Sequence, residues 1–564
     1  MPGSQNSNRH GGLANVAMPP DSQPEGMIVS DKTTIPAEES GPDNVTDVHG
    51  DIALREGISN GLSRQRKWII MFALCTAVFI VALDYFILTT ALPTVTSEFG
   101  TSDAGFAWIG SAYLLTHAAF TPVWATISDV FGRKMVLNVT NGFFFAGVLI
   151  GGLSGNTAIL IVGRAIQGVG AAGIMVVAPI CVGHLFNQRE RAHYIVILGA
   201  VIAFSSAAGP FIGGILTERL SWRWCFWINL PFTGLSFIAL TLFLHIESPN
   251  IGLIEGLQLI DWLGSVTIVG ATVMLLLGLQ LGVSQYAWDS VTVVCLIIFG
   301  TATFGIFGFI EYKVAKTPII PLKLFARRPR VAVMVVCICQ ASILAASTYF
   351  LPLYFQIVLG ASPSASGIYF LPTTLTLALF LLAVGHIIQK TGRYIALVRT
   401  GACALLLGTG FLVDTKAYLS WPRIIVSQIV VGSGLGLLNQ SPLVALYEVI
   451  DPQDVTTGTS AYQFLKIFSE TISVILGQVI FQSQVQRQSA ALLHRSLPPS
   501  VISALKKGQS ILLAYEVKNL EGELQELIHD AFVVALKRMW IFYTVISFLA
   551  VVASMVIIGK KLTR

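Results

Sequence analysis

The stretch ATISDVFGRK, residues 125–134, places an aspartate, an arginine and a lysine within ten positions of an otherwise apolar chain. Apolar runs lie on both sides of it, at 107–128 and 135–153. A helix rises about 1.5 Å per residue and needs about 20 apolar residues to cross a hydrocarbon core about 30 Å thick. The stretch therefore predicts a short charged loop between two transmembrane helices.

Composition extends this prediction to the whole chain. Hydrophobic residues make up 54% of the sequence and charged residues only 12%, whereas a soluble domain holds about 25% charged residues. We therefore expect an all-α polytopic membrane protein with fourteen spans and a lipid bilayer as its surroundings. The apolar runs that predict these spans are 68–92, 107–128, 135–153, 157–183, 194–216, 224–244, 263–283, 291–310, 331–356, 365–388, 395–413, 421–447, 458–482 and 538–559.

Lysine and arginine concentrate in alternate loops, which sets the predicted orientation. Examples on one side are Arg133 with Lys134 and, further on, Arg327 with Arg328. That side is predicted to be cytoplasmic, with both termini on it. The net charge of +5 mostly reflects this bias, so no nucleic-acid partner is expected. We expect the plasma membrane, with a vacuolar membrane as the alternative.

An internal repeat divides the chain. ATISDVFGRK aligns with GHIIQKTGRY (385–394), and GRAIQGVGAAG (163–173) aligns with SQIVVGSGLGL (427–437). Each pair occupies the same place within a set of six spans. Duplicated bundles around a central cavity are a plan of secondary transporters.

The predicted organisation follows from this repeat. We expect a disordered cytoplasmic tail at 1–66, an N-terminal six-helix half at 67–244, and two linker helices with a cytoplasmic loop at 245–330. A C-terminal six-helix half follows at 331–564, with a long outer loop at 483–537.

These motifs make the resemblance specific. The chain resembles the major facilitator superfamily, and within it the fourteen-span drug:proton antiporter family common in fungi. ATISDVFGRK is similar to the loop 2–3 signature of that superfamily, and LDYFILTTALPTV (83–95) to its first-span signature. SSAAGPFIGG (205–214) is similar to the fifth-span antiporter signature. The resemblance implies the major facilitator fold, with two six-helix repeats and two additional linker helices.

The resemblance also implies a gate. In ATISDVFGRK, Asp129 can pair with an arginine across the interface of the halves or accept hydrogen bonds at a helix N-terminus, while Gly132 permits a tight turn. Arg133 and Lys134 complete the predicted gating motif. The alternative is an ordinary positively charged cytoplasmic loop.

The antiporter motif combines a proline with small residues. Pro210 lies inside a helix and should kink it, and small residues four apart let another helix approach closely. Helix packing alone is the alternative explanation. The predicted motif residues are Ser205, Gly209, Pro210, Gly213 and Gly214.

Ionisable residues within spans are costly and therefore candidates for function. We predict that Asp84 carries the transported proton and that Arg164, at a similar depth in the fourth span, tunes it. A static ion pair is the alternative. Lys466 and Glu470 lie four apart on the thirteenth span, where a local Lys–Glu pair competes with a substrate or proton site. Glu470 is thus a further proton-coupling candidate.

Aromatic rings with a few amides suit bulky apolar cargo, although packing or lipid contact is the alternative for each. The predicted cavity residues are Tyr113, Phe204, Tyr349, Tyr354, Gln356, Asn439 and Gln440.

These features predict proton-coupled efflux of hydrophobic small molecules such as drugs, toxins or secondary metabolites, by alternating access. The alternatives are a proton-coupled importer or vacuolar carrier, for example of siderophores or basic amino acids, and a transporter-like sensor. No catalytic set, nucleotide-binding loop or metal-ligand spacing is present in the sequence. We therefore expect no enzymatic activity, no cofactor and no metal, and a monomer whose partners are its small-molecule cargo and protons.

Overall fold

Helices occupy nearly all of the chain that this computed structural model describes, and none of the described residues lies in a β-strand. The all-α prediction is confirmed. The N-terminal tail predicted at 1–66 lies outside the described residues up to residue 62. The described ranges are 63–99, 103–186, 188–244, 252–284, 286–315, 318–414, 420–451, 454–492 and 523–557.

The first helices form the N-terminal half and the linker. The N-terminal half contains α1 (Arg64–Phe99), α2 (Asp103–Phe131), α3 (Arg133–Gly152), α4 (Thr157–Leu185), α5 (Gln188–Arg219), α6 (Trp224–Trp227) and α7 (Asn229–Phe243). The linker contains α8 (Leu253–Leu259), α9 (Trp262–Ser284) and α10 (Val291–Lys313), followed by a 3₁₀ turn at Leu322–Phe325.

The remaining helices form the C-terminal half. They are α11 (Arg328–Ile357), α12 (Pro363–Thr391), α13 (Tyr394–Val413), α14 (Trp421–Val449), α15 (Val455–Leu492) and α16 (Glu523–Val556). The predicted outer loop at 483–537 was too long, because α15 continues to Leu492 and α16 already begins at Glu523.

Polar caps and glycine turns set several helix ends. The side chain of Asn156 accepts a hydrogen bond from the Ile159 amide at 2.9 Å and starts α4. Gly132 precedes α3 with a φ of 88°, and Gly392 ends α12 with a φ of 65°. Both glycines belong to the aligned loops 125–134 and 385–394. Both loops therefore use a glycine at a positive φ, which a residue with a Cβ rarely adopts, although ψ is 146° at Gly132 and 11° at Gly392.

Thirteen helices in the described part of the chain are long and apolar enough to cross a membrane. The predicted second span falls in α2, which is 29 residues long but carries more polar side chains, Thr116 and His117 among them. By length, each of the fourteen predicted spans has a helix, the sixth being formed by α6 and α7 together.

Helix packing repeats between the halves. In the N-terminal half, α1 packs against α5 and α7, and α4 packs against α2 and α3. In the C-terminal half, α11 packs against α15 and α16, and α14 packs against α12 and α13. The halves meet where α5 contacts α12 and α2 contacts α15. Helices in equivalent positions thus form both sides of the interface, which encloses the central cavity and its neighbours.

Candidate functional site in the interface of the halves

Three adjoining cavities follow one another along α1 and α15. We name them the Lys466 recess (about 420 Å³), the central cavity (about 720 Å³) and the Tyr349 cavity (about 740 Å³). The recess touches α1 at Val78, the central cavity extends to Phe86, and the Tyr349 cavity reaches Leu92. Because 14 helical residues span about 21 Å, the series covers much of the thickness of a bilayer.

Apolar and aromatic side chains dominate the central cavity. Both halves contribute, since α1, α2, α4 and α5 face α11 and α15 across it. Tyr85, Phe86 and Tyr113 supply the rings, and Lys466 and Glu470 supply formal charges. A concave apolar site with a few polar groups is typical of small-molecule binding.

Asp84 lies beside these cavities in a closed polar network. One oxygen of its carboxylate pairs with Arg164 Nη1 at 2.5 Å. The other accepts hydrogen bonds from Gln167 Nε2 at 3.1 Å and from Asn229 Nδ2 at 3.0 Å. The Asp84 and Arg164 side chains are only 1% and 2% exposed. The structure therefore brings the predicted pair together and adds two amide partners.

Gln167 and Asn229 were missed by the sequence reasoning. Gln167 lies inside the aligned motif GRAIQGVGAAG, and Asn229 lies in the apolar stretch WRWCFWINLP (222–231). Three helices, α1, α4 and α7, carry the network. A polar residue inside each apolar motif was the available signal, but nothing in the sequence tells which residues meet.

Arg164 links this network to the cavities. It lines the Tyr349 cavity, and its guanidinium lies 4.3 Å from the ring centroid of Tyr113. Tyr113 in turn lines the central cavity. Cargo in the central cavity would therefore contact the Tyr113 ring, which packs against the guanidinium of Arg164, the ion-pair partner of Asp84.

Lys466 and Glu470 do not form the local ion pair that the sequence left open. Both side chains line the central cavity. Within the described part of the chain, the structure gives no ion pair within 4 Å and no hydrogen bond for either side chain. An i,i+4 spacing allows such a pair but does not require it, and here both side chains face the cavity instead.

The predicted cavity residues separate into two groups. Tyr113, Tyr349 and Gln440 line the cavities. Phe204 does not, because it is 62% exposed on the outer face of α5 and stacks on Phe79.

The other predicted positions also lie outside the linings of these three cavities. Among the described residues, the linings of all three lack Tyr354, Gln356 and Asn439. Tyr354 is buried against Phe355, and Gln356 donates to Ser366 Oγ at 3.4 Å. Tyr354 and Gln356 therefore contact neighbours within the C-terminal half rather than the cavities.

The gating motif forms a local contact. Asp129 pairs with Arg133 at 3.1 Å, one helical turn on. The predicted pairing of Asp129 across the halves is therefore not formed in this structure, because its carboxylate is already engaged by a neighbour. Asp129 lies past the predicted span 107–128. Burial raises its pKa to about 6, and the Arg133 charge opposes that rise. Lys134 follows on the first turn of α3.

Two polar contacts cross the halves on the side of the gating motif. Gln463 Nε2 on α15 donates to the Met175 carbonyl on α4 at 3.2 Å. The guanidinium of Arg191, near the start of α5, lies 5.6 Å from the ring centroid of Tyr447 on α14. The first contact lies where the recess meets the central cavity, since Gln463 and Met175 line both.

The antiporter motif packs α5 tightly on α1. A Cβ added to Gly209 would lie 2.6 Å from the Phe86 Cβ, so only glycine fits there. Ser205 is fully buried and donates to the Val201 carbonyl at 2.9 Å. The Gly213 carbonyl accepts a weak contact from the Cys225 thiol.

The remaining motif residues lie on the same helix. Pro210 approaches Gly367 of α12, so this end of α5 also touches the other half. Gly214 is buried one position after Gly213. The motif thus joins α5 to α1 and to α12.

At the opposite end of α1, Glu98 joins the loop that precedes α6. Its carboxylate accepts hydrogen bonds from Arg223 Nη1 at 2.8 Å and Trp222 Nε1 at 2.6 Å. The hydrogen bond from Arg223 is the main reason that the pKa of Glu98 lies below its usual value. This contact closes the N-terminal half on itself.

A comparison with known families identifies the fold formed by the two six-helix halves. The family model of the Major Facilitator Superfamily matches residues 74–469. The chain belongs to the Major Facilitator Superfamily. It is accordingly a membrane transporter and not an enzyme.

Similar chains come from fungi. MFS-type transporter ppz2 of Metarhizium majus is 42% identical over 508 residues, which cover 90% of this chain and 87% of that one. Efflux pump dotC of Dothistroma septosporum is 39% identical, with 87% and 84% covered. Efflux pump FUS6 of Gibberella moniliformis is 35% identical, with 74% and 75% covered.

Solved structures share the fold at low sequence identity. The proton:xylose symporter XylE aligns with a TM-score of 0.54 at 13% identity, over 86% of this chain and 97% of XylE. The human organic anion transporter MFSD10 aligns with a TM-score of 0.53 at 14% identity, over 84% of this chain and all of MFSD10. At such identities the likeness concerns the fold alone.

Proposed function

We propose that this protein exports hydrophobic small molecules, such as toxins or secondary metabolites, in exchange for protons. The observation that carries the proposal is the largely apolar, aromatic cavity between the halves, set directly against the buried Asp84 network. Fungal relatives named as efflux pumps support the direction of transport. The two six-helix halves, 67–244 and 331–564, would rock about the cavity by alternating access.

Proton coupling would run from cargo to Asp84 through two side chains. Cargo in the central cavity displaces Tyr113, whose ring contacts the Arg164 guanidinium. A shift of Arg164 leaves the Asp84 carboxylate without its cation. A buried, unpaired carboxylate is expensive and is relieved by taking up a proton. Glu470, on the opposite wall of the central cavity, is a second carboxylate that cargo and protons can reach.

The motifs around the cavities would control this exchange. Asp129, Gly132, Arg133 and Lys134 would form the gate on the cytoplasmic side, with the Asp129–Arg133 pair exchanging partners as the halves move. The close contact of Gly209 on α5 with α1 would seal the space between these two helices against ion leak. We further propose that a single chain acts in the plasma membrane, surrounded by lipid, with both termini in the cytoplasm.

The test is export from cells with and without the chain, measured for a panel of hydrophobic toxins with and without a proton uncoupler. Asp84→Asn should abolish gradient-driven export while the protein still reaches the cell surface. Glu98→Gln is the matched control, because Glu98 is also paired with an arginine but lies outside the linings of the three described cavities. Full export by Asp84→Asn would contradict the role of Asp84 as proton carrier. Equal export from cells with and without the chain would contradict the efflux function.

A further inference from the structure

The Lys466 recess has a lining that differs from that of the central cavity. It lies between α1, α4, α5, α14 and α15 and holds about 420 Å³. Its apolar walls include Val78 and Met175, and its polar side chains are Gln440, Tyr462, Gln463 and Lys466. The recess adjoins the central cavity because Lys466 and Gln463 line both.

The charge of the recess has one sign. Within the described chain, Lys466 is the only charged side chain in its lining, and no carboxylate is present there. Glu470, one turn further along α15, lines the central cavity but not the recess. A lysine cation inside a membrane protein without an ion pair is costly, so an anionic group that enters the recess gains more than it would in water.

The remaining polar groups can also donate to such a group. Tyr462 is 1% exposed, and its hydroxyl has no hydrogen-bond partner among the described residues. Gln440 is 8% exposed, and the structure likewise gives its amide no hydrogen bond within the described ranges. Gln463 already donates to the Met175 carbonyl and so holds the wall in place. A buried hydroxyl left unsatisfied is stabilised by a ligand that supplies an acceptor.

We propose that the recess binds the acidic group of the cargo, a carboxylate or a similar oxygen anion, while the apolar body of the cargo fills the central cavity. This inference rests on the proposed function, because it names the class of molecule exported. Lys466 would supply a charge-assisted hydrogen bond, and Tyr462 with Gln440 would add neutral ones. Charge-assisted hydrogen bonds contribute about 1.5–3 kcal/mol, which corresponds to about 10- to 100-fold in affinity.

The experiment compares two probes of the same shape, pyrenebutyric acid and pyrenebutyramide, which differ in the charge of one group. Their binding to the purified full chain is measured by fluorescence. The wild type should bind the acid at least about tenfold more tightly than the amide. Lys466→Gln should remove this preference by weakening binding of the acid, Lys466→Arg should keep most of it, and Tyr462→Phe should reduce it by a few fold. Lys313→Gln, at the far end of the linker helix α10, is the matched control.

Two results would overturn the inference. One is that the amide binds as tightly as the acid, or that the acid does not bind at all. The other is that the preference survives in Lys466→Gln, which would mean that a group other than Lys466 binds the acid. A proton-driven transport assay in proteoliposomes with the same probes separates the two proposals. A preference for the acid without transport would contradict the proposed efflux and leave the recess assignment standing, whereas transport of both probes without preference would do the reverse.

Discussion

The two halves share their helix packing but handle buried charge in opposite ways. In the N-terminal half, Arg164 Nη1 is bound by both Asp84 and Gln167. The aligned position in the C-terminal half is Gln428, a neutral side chain that accepts one hydrogen bond from Thr373 at 2.9 Å. In the linings of the three described cavities, the charges of the C-terminal half lie instead on α15, where Lys466 and Glu470 face the central cavity.

This difference separates two tasks within one fold. A paired, buried charge holds a conformation and must be released before it can exchange a proton. An unpaired charge at a cavity wall is available to cargo without any rearrangement. Under the proposed function, the N-terminal half would serve coupling and the C-terminal half recognition, and matched positions of the halves test this contrast.

The largest expected effect comes from breaking the buried pair on one side. Asp84→Leu leaves the Arg164 guanidinium buried without its carboxylate, which costs about 3–5 kcal/mol of folding free energy. Adding Arg164→Met should recover most of that loss, because replacing a whole buried pair by apolar side chains is often close to neutral. The unfolding midpoint of the purified protein in detergent measures both changes.

Gln428→Met in the C-terminal half is the matched control. It removes one neutral hydrogen bond and should cost less than about 2 kcal/mol. If Asp84→Leu were no more destabilising than Gln428→Met, or if the double variant were worse than Asp84→Leu alone, the contrast between the halves would not hold.

A smaller effect is expected at two glycines on equivalent helices. Gly209 on α5 faces the Cβ of Phe86 at 2.6 Å and the Ile87 amide at 3.1 Å, measured from an added Cβ. Gly477 on α15 faces ring atoms of Phe350 and the Tyr543 hydroxyl, each at 2.5 Å. Backbone and Cβ atoms cannot move without moving α1, whereas a ring can tilt. Gly209→Ala should therefore cost about 1–3 kcal/mol, and Gly477→Ala less, by the same unfolding measurement.

Gly142→Ala gives the baseline for this pair, because an added Cβ there meets no atom within 4 Å. It should be neutral or stabilising by up to about 1 kcal/mol, as expected for an exposed helical glycine. Equal losses at Gly209 and Gly477 would mean that the two interfaces are equally rigid.

The sequence predicted most of the fold because its signals are local. Each crossing helix is a run of apolar residues, and a glycine with a positive φ follows the second span of each half, Gly132 in one and Gly392 in the other. The meeting of Asp84 with Arg164 was also predictable, since helix rise and distance from the loops place both at a similar depth.

What the sequence could not predict is the direction in which a side chain points. Phe204 and Tyr113 are both aromatic residues in spans, yet one lies on the outer surface and the other on the cavity wall. Nearly every face of these helices is apolar, so periodicity does not separate lipid-facing from cavity-facing positions. Similarly, Lys466 and Glu470 have the spacing of an ion pair, and only the packing around α15 decides that they face the cavity.

The smallest expected effect concerns pH and the aligned loops, which carry Asp129 in one half and Gln389 in the other. Burial raises the pKa of Asp129 from its ordinary value of 3.8 to about 6. The folded state therefore favours the protonated carboxyl. The contribution of this preference to the free energy of unfolding is complete below pH 3.8 and is lost as the pH rises through about 6. Because the side chain is 35% exposed, solvent limits the change to at most about 1 kcal/mol.

Unfolding midpoints between pH 4 and 7 should fall more in the wild type than in Asp129→Asn. Arg133→Gln should move the transition to higher pH, since Arg133 opposes the rise, whereas Arg393→Gln, at the aligned position beside Gln389, should not move it. A transition that follows Arg393 instead would assign the pH sensitivity to the other half.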